Sequence, residues 1–131
     1  MSGFFIKTLS VLLICLFPLQ TALAVNNVKP AHHVSPEFYT PLFENDVVLV
    51  LKMVLKPGEA DKQHRHQDET VYFQQGGTLQ ITLENGESIV AEIPDGHVMW
   101  HESWVHQVTN IGETEVIAIV VEQKSDEKNH D

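Results

Sequence analysis

The sequence predicts a single all-β domain, a sandwich or a barrel, and three observations predict it. Short runs rich in β-branched and aromatic residues recur between turn residues. Beyond residue 24, no window carries a sustained i, i+3, i+4, i+7 apolar pattern, so no amphipathic helix is expected there. The chain has 131 residues, room for one domain at the usual size.

The strand runs follow in order. Val47 to Leu55 (VVLVLKMVL) is closed by Lys56-Pro57-Gly58. Thr70 to Gln74 (TVYFQ) ends at Gly76-Gly77. Thr78 to Leu83 meets Asn85-Gly86, a strong two-residue hairpin signal, and Ser88 to Glu92 returns. Pro94-Asp95-Gly96 makes another turn before His97 to Trp100. Val105 to Thr109 and Glu115 to Glu122 (EVIAIVVE) complete the set. Ahead of them, Val25 to Asn45 is rich in Asn and Pro and reads as an arm wrapping the surface.

The first 24 residues have a different character. A single positive charge, Lys7, precedes the nine uncharged residues of Leu9 to Phe17 (LSVLLICLF). Pro18 then breaks the run, and Ala22-Leu23-Ala24 offers small residues at −3 and −1 of a cut. This is the layout of a secretory signal peptide, and the apolar run is too short to span a membrane. A buried N-terminal helix is the competing reading, but it gives Pro18 and the A-x-A site no role. The expected layout is a signal peptide over 1–24, an arm over 25–43, a barrel over 44–124 and a polar tail over 125–131. Cys15 is the only cysteine, so the processed chain of 107 residues has none. Disulfides, thiolate metal sites and cysteine nucleophiles are thereby excluded from it. The expected location is the periplasm or the exterior.

Eighteen acidic residues against eight basic ones give a formal charge of −10, and no basic block of five appears. Such a surface has no attraction for nucleic-acid phosphates or for an anionic membrane.

The eight histidines are the main chemical signal. In His64-Arg65-His66, two imidazoles two residues apart share one face of a strand, which suits two adjacent ligands of one metal ion. Alone, the pair equally describes two surface histidines. Glu69 follows closely and begins an alternation through Val71 and Phe73, which puts it on the apolar, inward side. Asp68 shares parity with the two histidines only if the strand runs unbroken, and a turn is expected instead. His106 lies 40 residues beyond His66 in another expected strand. Three imidazoles and a carboxylate favour a divalent first-row transition metal (Fe, Mn, Ni, Cu or Zn) over calcium or magnesium. His97 and His101 are placed to act as acid or base nearby, with His101 the candidate catalytic residue. Each also fits a histidine that packs or faces solvent. His32-His33 reads as a solvated pair. Trp100 and Trp104 suit core, dimer contact or a pocket wall.

These residues resemble a known family. Gly58, five residues, His64-x-His66, Glu69, six residues and Gly76 resemble the first cupin motif, G-x5-H-x-H-x3,4-E-x6-G, with two residues rather than three or four between His66 and Glu69. Gly96, His106 and Asn110 resemble the second, G-x5-P-x-G-x2-H-x3-N, with His101 and Ser103 where Pro and Gly are usual and the first spacer one residue short. The likeness spans Glu44 to Lys124 and is to small single-domain cupins. It implies a jelly-roll barrel (double-stranded β-helix), often homodimeric, with one metal held by His64, His66, Glu69 and His106. It does not imply one reaction, because the fold hosts many. Three readings follow. The first is a metal-dependent enzyme of oxygenase, isomerase or lyase type acting on a small polar molecule. The second is a non-catalytic module binding a metal or small molecule. The third is an interaction scaffold without metal.

Export makes a direct prediction. N-terminal sequencing of the exported protein should begin at Val25, and a cytoplasmic product starting at Met1 or Ser2 would contradict it.

Overall fold

The computed structural model describes residues 27–124. The proposed signal peptide and the polar tail lie outside the described residues. Among these residues, nine strands follow one four-residue helix, α1 (Ala31–Val34). The strands are β1 (Tyr39–Glu44), β2 (Val48–Leu55), β3 (His64–His66), β4 (Asp68–Gln75), β5 (Gly77–Leu83), β6 (Ser88–Ile93), β7 (Val98–His101), β8 (Trp104–Asn110) and β9 (Val116–Gln123). They form a five-stranded sheet, β1-β2-β9-β4-β7, and a four-stranded sheet, β3-β8-β5-β6, with all strand pairs antiparallel.

The core follows from alternation along the strands. In β2, Leu49, Leu51, Met53 and Leu55 are buried while the residues between them are partly exposed. In β9, Val116, Ala118 and Val120 do the same, and Val71 and Phe73 of β4 join them. Leu79 and Val108 supply the facing side from the four-stranded sheet. Period-two patterning therefore aims one face of each sheet at a common interior.

All seven expected strand runs are present within a residue or two. Two strands were not among them. The arm contains α1 and β1, so the sheet begins at Tyr39 rather than at Glu44. The sequence of β1 (YTPLFE) disguises it: Pro41 cannot donate to a ladder, and the register shifts between Pro41 and Phe43. As an edge strand with one buried residue, Tyr39, it shows no alternation. The segment β3 is only three residues long and is separated from β4 by Gln67 alone. At Gln67 the chain passes from the four-stranded sheet to the five-stranded one, which is the break expected before Glu69.

The β5–β6 hairpin is present, but its turn is not the expected two-residue one. Gly86 has φ 87° while Asn85 keeps a negative φ. The Gly86 amide donates to Leu83 O and the Leu83 amide to Glu87 O. This is a three-residue loop with glycine in the left-handed position, the next commonest solution for a hairpin. Gly76 has a different reason to be glycine. A Cβ there would lie 1.9 Å from the Ile93 carbonyl oxygen, so any side chain would push the β4–β5 connection off the end of β6.

Asn110, fully buried at the end of β8, ties three segments together. Its Nδ2 donates to Leu55 O and to Thr114 O, and its Oδ1 accepts from the Gly112 amide. The H-x3-N spacing thus ends in a structural asparagine. Asn110→Ala leaves the buried Leu55 carbonyl without a partner, at about 1–3 kcal/mol, and removes partners from the partly exposed Thr114 carbonyl and Gly112 amide. We expect a loss of about 2 kcal/mol in urea unfolding, and a change below about 0.5 kcal/mol would contradict this role.

Candidate metal centre

The β3–β8 ladder builds the site. Its register sets His64 opposite His106 and His66 opposite Trp104. Because alternate residues share a face, His64 and His66 point inward from one strand and His106 joins them from the next. Arg65 between them is exposed. All three histidines are buried, at 0%, 2% and 4% exposure for His64, His66 and His106. One nitrogen from each can be chosen so that all lie within 4.8 Å of one another. Their ring centroids are 4.6–5.2 Å apart. The three make one site with the donors and spacing for a single divalent metal ion.

Hydrogen bonds orient two of the rings. His64 Nδ1 lies 2.7 Å from Lys62 O, and a carbonyl only accepts, so Nδ1 carries the proton. His66 Nδ1 lies 2.6 Å from Glu122 Oε1 and donates to it. Both rings therefore turn Nε2 toward the centre, and those two atoms are 2.9 Å apart. Two lone pairs do not face each other at that distance. A cation, whether a proton or a metal ion, belongs between them. His106 brings the third imidazole, and its Nδ1 is buried without a hydrogen-bond partner. The residues present thus fit a metal.

Burial pushes the His64 pKa down to about 3 and the His106 pKa down to about 2, with neighbouring His66 adding to both. These two stay neutral, as ligands must. His66 differs. Burial opposes its charge, but its bond to Glu122 and the charges of Glu69, Glu122 and Asp61 outweigh burial and raise its pKa.

Three supporting residues complete the surroundings. Glu122 sits on the inward register of β9, after Val116, Ala118 and Val120, and is 3% exposed. That acid on an apolar face is the signal that sequence reading passed over. Asp61 is buried, accepts from Tyr39 Oη at 2.8 Å and the Val108 amide at 2.7 Å, and stands 3.6 Å from His64 Nδ1. Burial raises its pKa to about 6. Tyr39 meets His64 edge-on at 5.3 Å. Neither Asp61, in a loop, nor Tyr39, in the arm, carries a periodic signal in the sequence.

Glu69 is buried on the inward face of β4, as its parity predicts. It lies outside the three-histidine group. One oxygen accepts from Trp104 Nε1 at 2.7 Å. The other is 3.4 Å from His66 Nδ1, on the side of the ring away from Nε2, and has no hydrogen-bond partner. The single residue fewer between His66 and Glu69 coincides with the chain crossing at Gln67. His101, opposite Glu69 on β7, is half-buried and stacked on the Trp104 indole at 3.8 Å, with Nδ1 donating to Glu102 O. His97 is exposed, and of the His32-His33 pair His33 is exposed while His32 is half-buried.

Beyond the histidines the barrel interior holds a cavity of about 50 Å³, room for only a few atoms. His66, Glu69, Trp104 and His106 line its polar end, and residues such as Phe73, Met99 and Val120 line the rest.

Comparison with solved structures gives the architecture its class. A cupin domain from Bordetella pertussis matches with a TM-score of 0.61 and 27% identity, over 66% of this chain and 92% of that one. A cupin family protein with a double-stranded β-helix fold from Methanocaldococcus jannaschii matches at TM-score 0.54 and 21% identity, over 65% and 77%. A double-stranded β-helix protein from Klebsiella pneumoniae matches at TM-score 0.52 and 21% identity, over 72% and 80%. No family model and no curated protein matches the chain. The fold is the double-stranded β-helix of the cupin superfamily, in one small domain.

The site makes a prediction about pH. His64 and His106 are already neutral between pH 5 and 7, so only His66 has a proton to lose on metal binding in that range. Affinity should fall as pH falls through the His66 titration, with a slope of at most about one proton per ion. Calorimetric titration from pH 5.5 to 7.5 checks it, and a slope near three would contradict the depressed pKa values.

Proposed function

We propose that this chain is an exported metalloprotein of the cupin type, with His64, His66 and His106 ligating one divalent first-row ion, and that it is an enzyme acting at that ion. The observation that carries this reading is the convergence of three buried imidazoles on one point beside an interior cavity. A metal held there supplies Lewis-acid or redox chemistry and keeps coordination positions free for a substrate.

The chain's own residues have separate tasks. Lys62 O and Glu122 fix the rings of His64 and His66 by holding their Nδ1 protons, an arrangement that sharpens geometry and raises ligand basicity. Asp61 and Tyr39 back His64. Glu69, implied as a fourth ligand by the motif, is instead proposed to position Trp104 and His66. The apolar lining excludes bulk water and limits what meets the metal to a small molecule or to one small group of a larger one. A polar substrate would have to place its polar atoms at the histidine end.

The homodimer is also proposed. Tyr72 and Val98 are cross-strand neighbours on the outer face of β4 and β7, next to Trp100. They are 44%, 58% and 56% exposed, and a second copy would cover them. Among the described residues no helix is long and apolar enough to cross a membrane.

Elemental analysis of protein purified without chelator tests the proposal. The expected content is about one first-row ion per chain, reduced about tenfold or more in His64→Ala, His66→Ala and His106→Ala. Glu69→Gln should retain it. A wild-type protein that holds no metal and takes up none at pH 7.5 would sink the reading. Oxygen uptake and product analysis against diols, thiols and sugars then test the enzyme. A fully loaded protein inert to all of them would favour the binding module.

A further inference from the structure

One side chain stands between the inner cavity and the outside. Trp104 lines the interior cavity together with His66 and His106. It also lines an open surface groove formed with Leu83, Ile89, His101 and Val105, and it is the one residue shared by the two. Its indole meets His106 edge-on at 3.9 Å on the inner side and stacks on His101 at 3.8 Å on the outer side.

The indole is held at three points. Nε1–H donates to Glu69 Oε1 at 2.7 Å. The His101 ring, its Nδ1 tied to Glu102 O, covers one face. The backbone just before it is anchored at Ser103, whose amide donates to Asp68 Oδ1 and whose hydroxyl donates to His66 O. With Ser103 fixed, the indole moves by side-chain rotation and not by a shift of the β7–β8 connection. Rotation breaks the bond to Glu69, which is buried and already has one oxygen without a partner. Opening therefore strips a buried carboxylate of a donor, which favours the closed position.

We propose that Trp104 is the gate of the metal cavity and sets the size of what enters, with Glu69 as its latch and His101 as its outer stop. This rests on the metal reading of the histidine site for its purpose, but not for its geometry. Closed, the indole confines the cavity to a volume suited to molecules of a few atoms. A larger ligand lies in the groove and reaches the histidines only by displacing the ring. His101 acts on that ring rather than on the ion, which accounts for its place outside the cavity.

Two rates test the gate. The first is extraction of Co(II) from loaded protein by excess EDTA. The second needs no metal: carbethoxylation of His66 and His106 by diethyl pyrocarbonate in the metal-free protein, followed by peptide mass spectrometry. Trp104→Ala should speed both by about tenfold or more, the factor that one hydrogen bond to a charged group carries. Trp104→Phe, which keeps a ring but lacks the N–H, should fall between. Glu69→Gln, which still offers an oxygen to the indole but not the charge, should speed both by less than Trp104→Phe does. Amide exchange at Leu51, in the β2–β9 core, reports general loosening and should not change. Rates within about twofold of wild type in Trp104→Ala would overturn the gate, as would an acceleration matched by faster exchange at Leu51. If Trp104→Ala does not fold, Trp104→Phe decides, and wild-type rates in it overturn the gate. A wild-type protein that takes up no Co(II) overturns the metal reading, while the carbethoxylation rates still decide the gate.

Discussion

Three imidazoles and three carboxylates lie inside a small apolar barrel, and their mutual satisfaction is the constraint on which the rest of the structure depends. A buried carboxylate or imidazolium is costly unless it is paired and hydrogen-bonded. Here Glu122 is paired with His66, Asp61 accepts from Tyr39 and Val108, and Glu69 accepts from Trp104. Each pair joins elements far apart in the chain, so the polar set also fixes how β1, β4, β8 and β9 close on one another.

The short strand β3 is where this constraint meets the fold. It pairs with β8 in the register that brings His64 across from His106, and the N-terminal segment covers its other edge through the Arg65 amide bonded to Lys29 O. One residue later the chain belongs to the other sheet. The crossing at Gln67 lets His66 look into the cavity from one sheet while Glu69 and Glu122 look in from the other. The Gln67 amide donates to Glu122 Oε2, so the crossing is itself tied to the acid that orients His66. A site built across two sheets in this way depends on the whole barrel and not on a local loop.

Much of this was legible in the sequence, for physical reasons. Period-two alternation exposed β2, β4 and β9, because each is buried on one face and open on the other. The parity of Glu69 with Val71 and Phe73 correctly placed it inside. Histidine spacing found the three imidazoles that come together, since residues two apart on a strand must share a face. What stayed hidden has causes as definite. The strand β1 is a bulged edge containing Pro41 and has almost no pattern to read. Asp61 acts through loop backbone and through Tyr39, contacts that no period encodes. Glu122 was visible as an acid in an apolar register, but its partner lies 56 residues earlier. The hairpin at Asn85-Gly86 was found but its loop length was not, because Asn85 keeps the ordinary backbone region. His101, read as a candidate acid or base from its place in the second motif, stacks on Trp104 and does not line the cavity.

The central claim is that the fold presets the histidines for one ion, with Nδ1 of His64 and His66 protonated and both Nε2 atoms turned to a common point. Nitrogen-15 correlation spectra of the imidazoles report the tautomer directly, before and after addition of one equivalent of Zn(II). In the metal-free protein near pH 8, His64 should be the neutral Nδ1–H form and His66 should keep its Nδ1 proton. Zinc should then shift the Nε2 resonances of both and leave their Nδ1–H bonds in place. Neutral Nε2–H tautomers of both rings in the metal-free protein, or spectra that zinc leaves unchanged, would contradict the account.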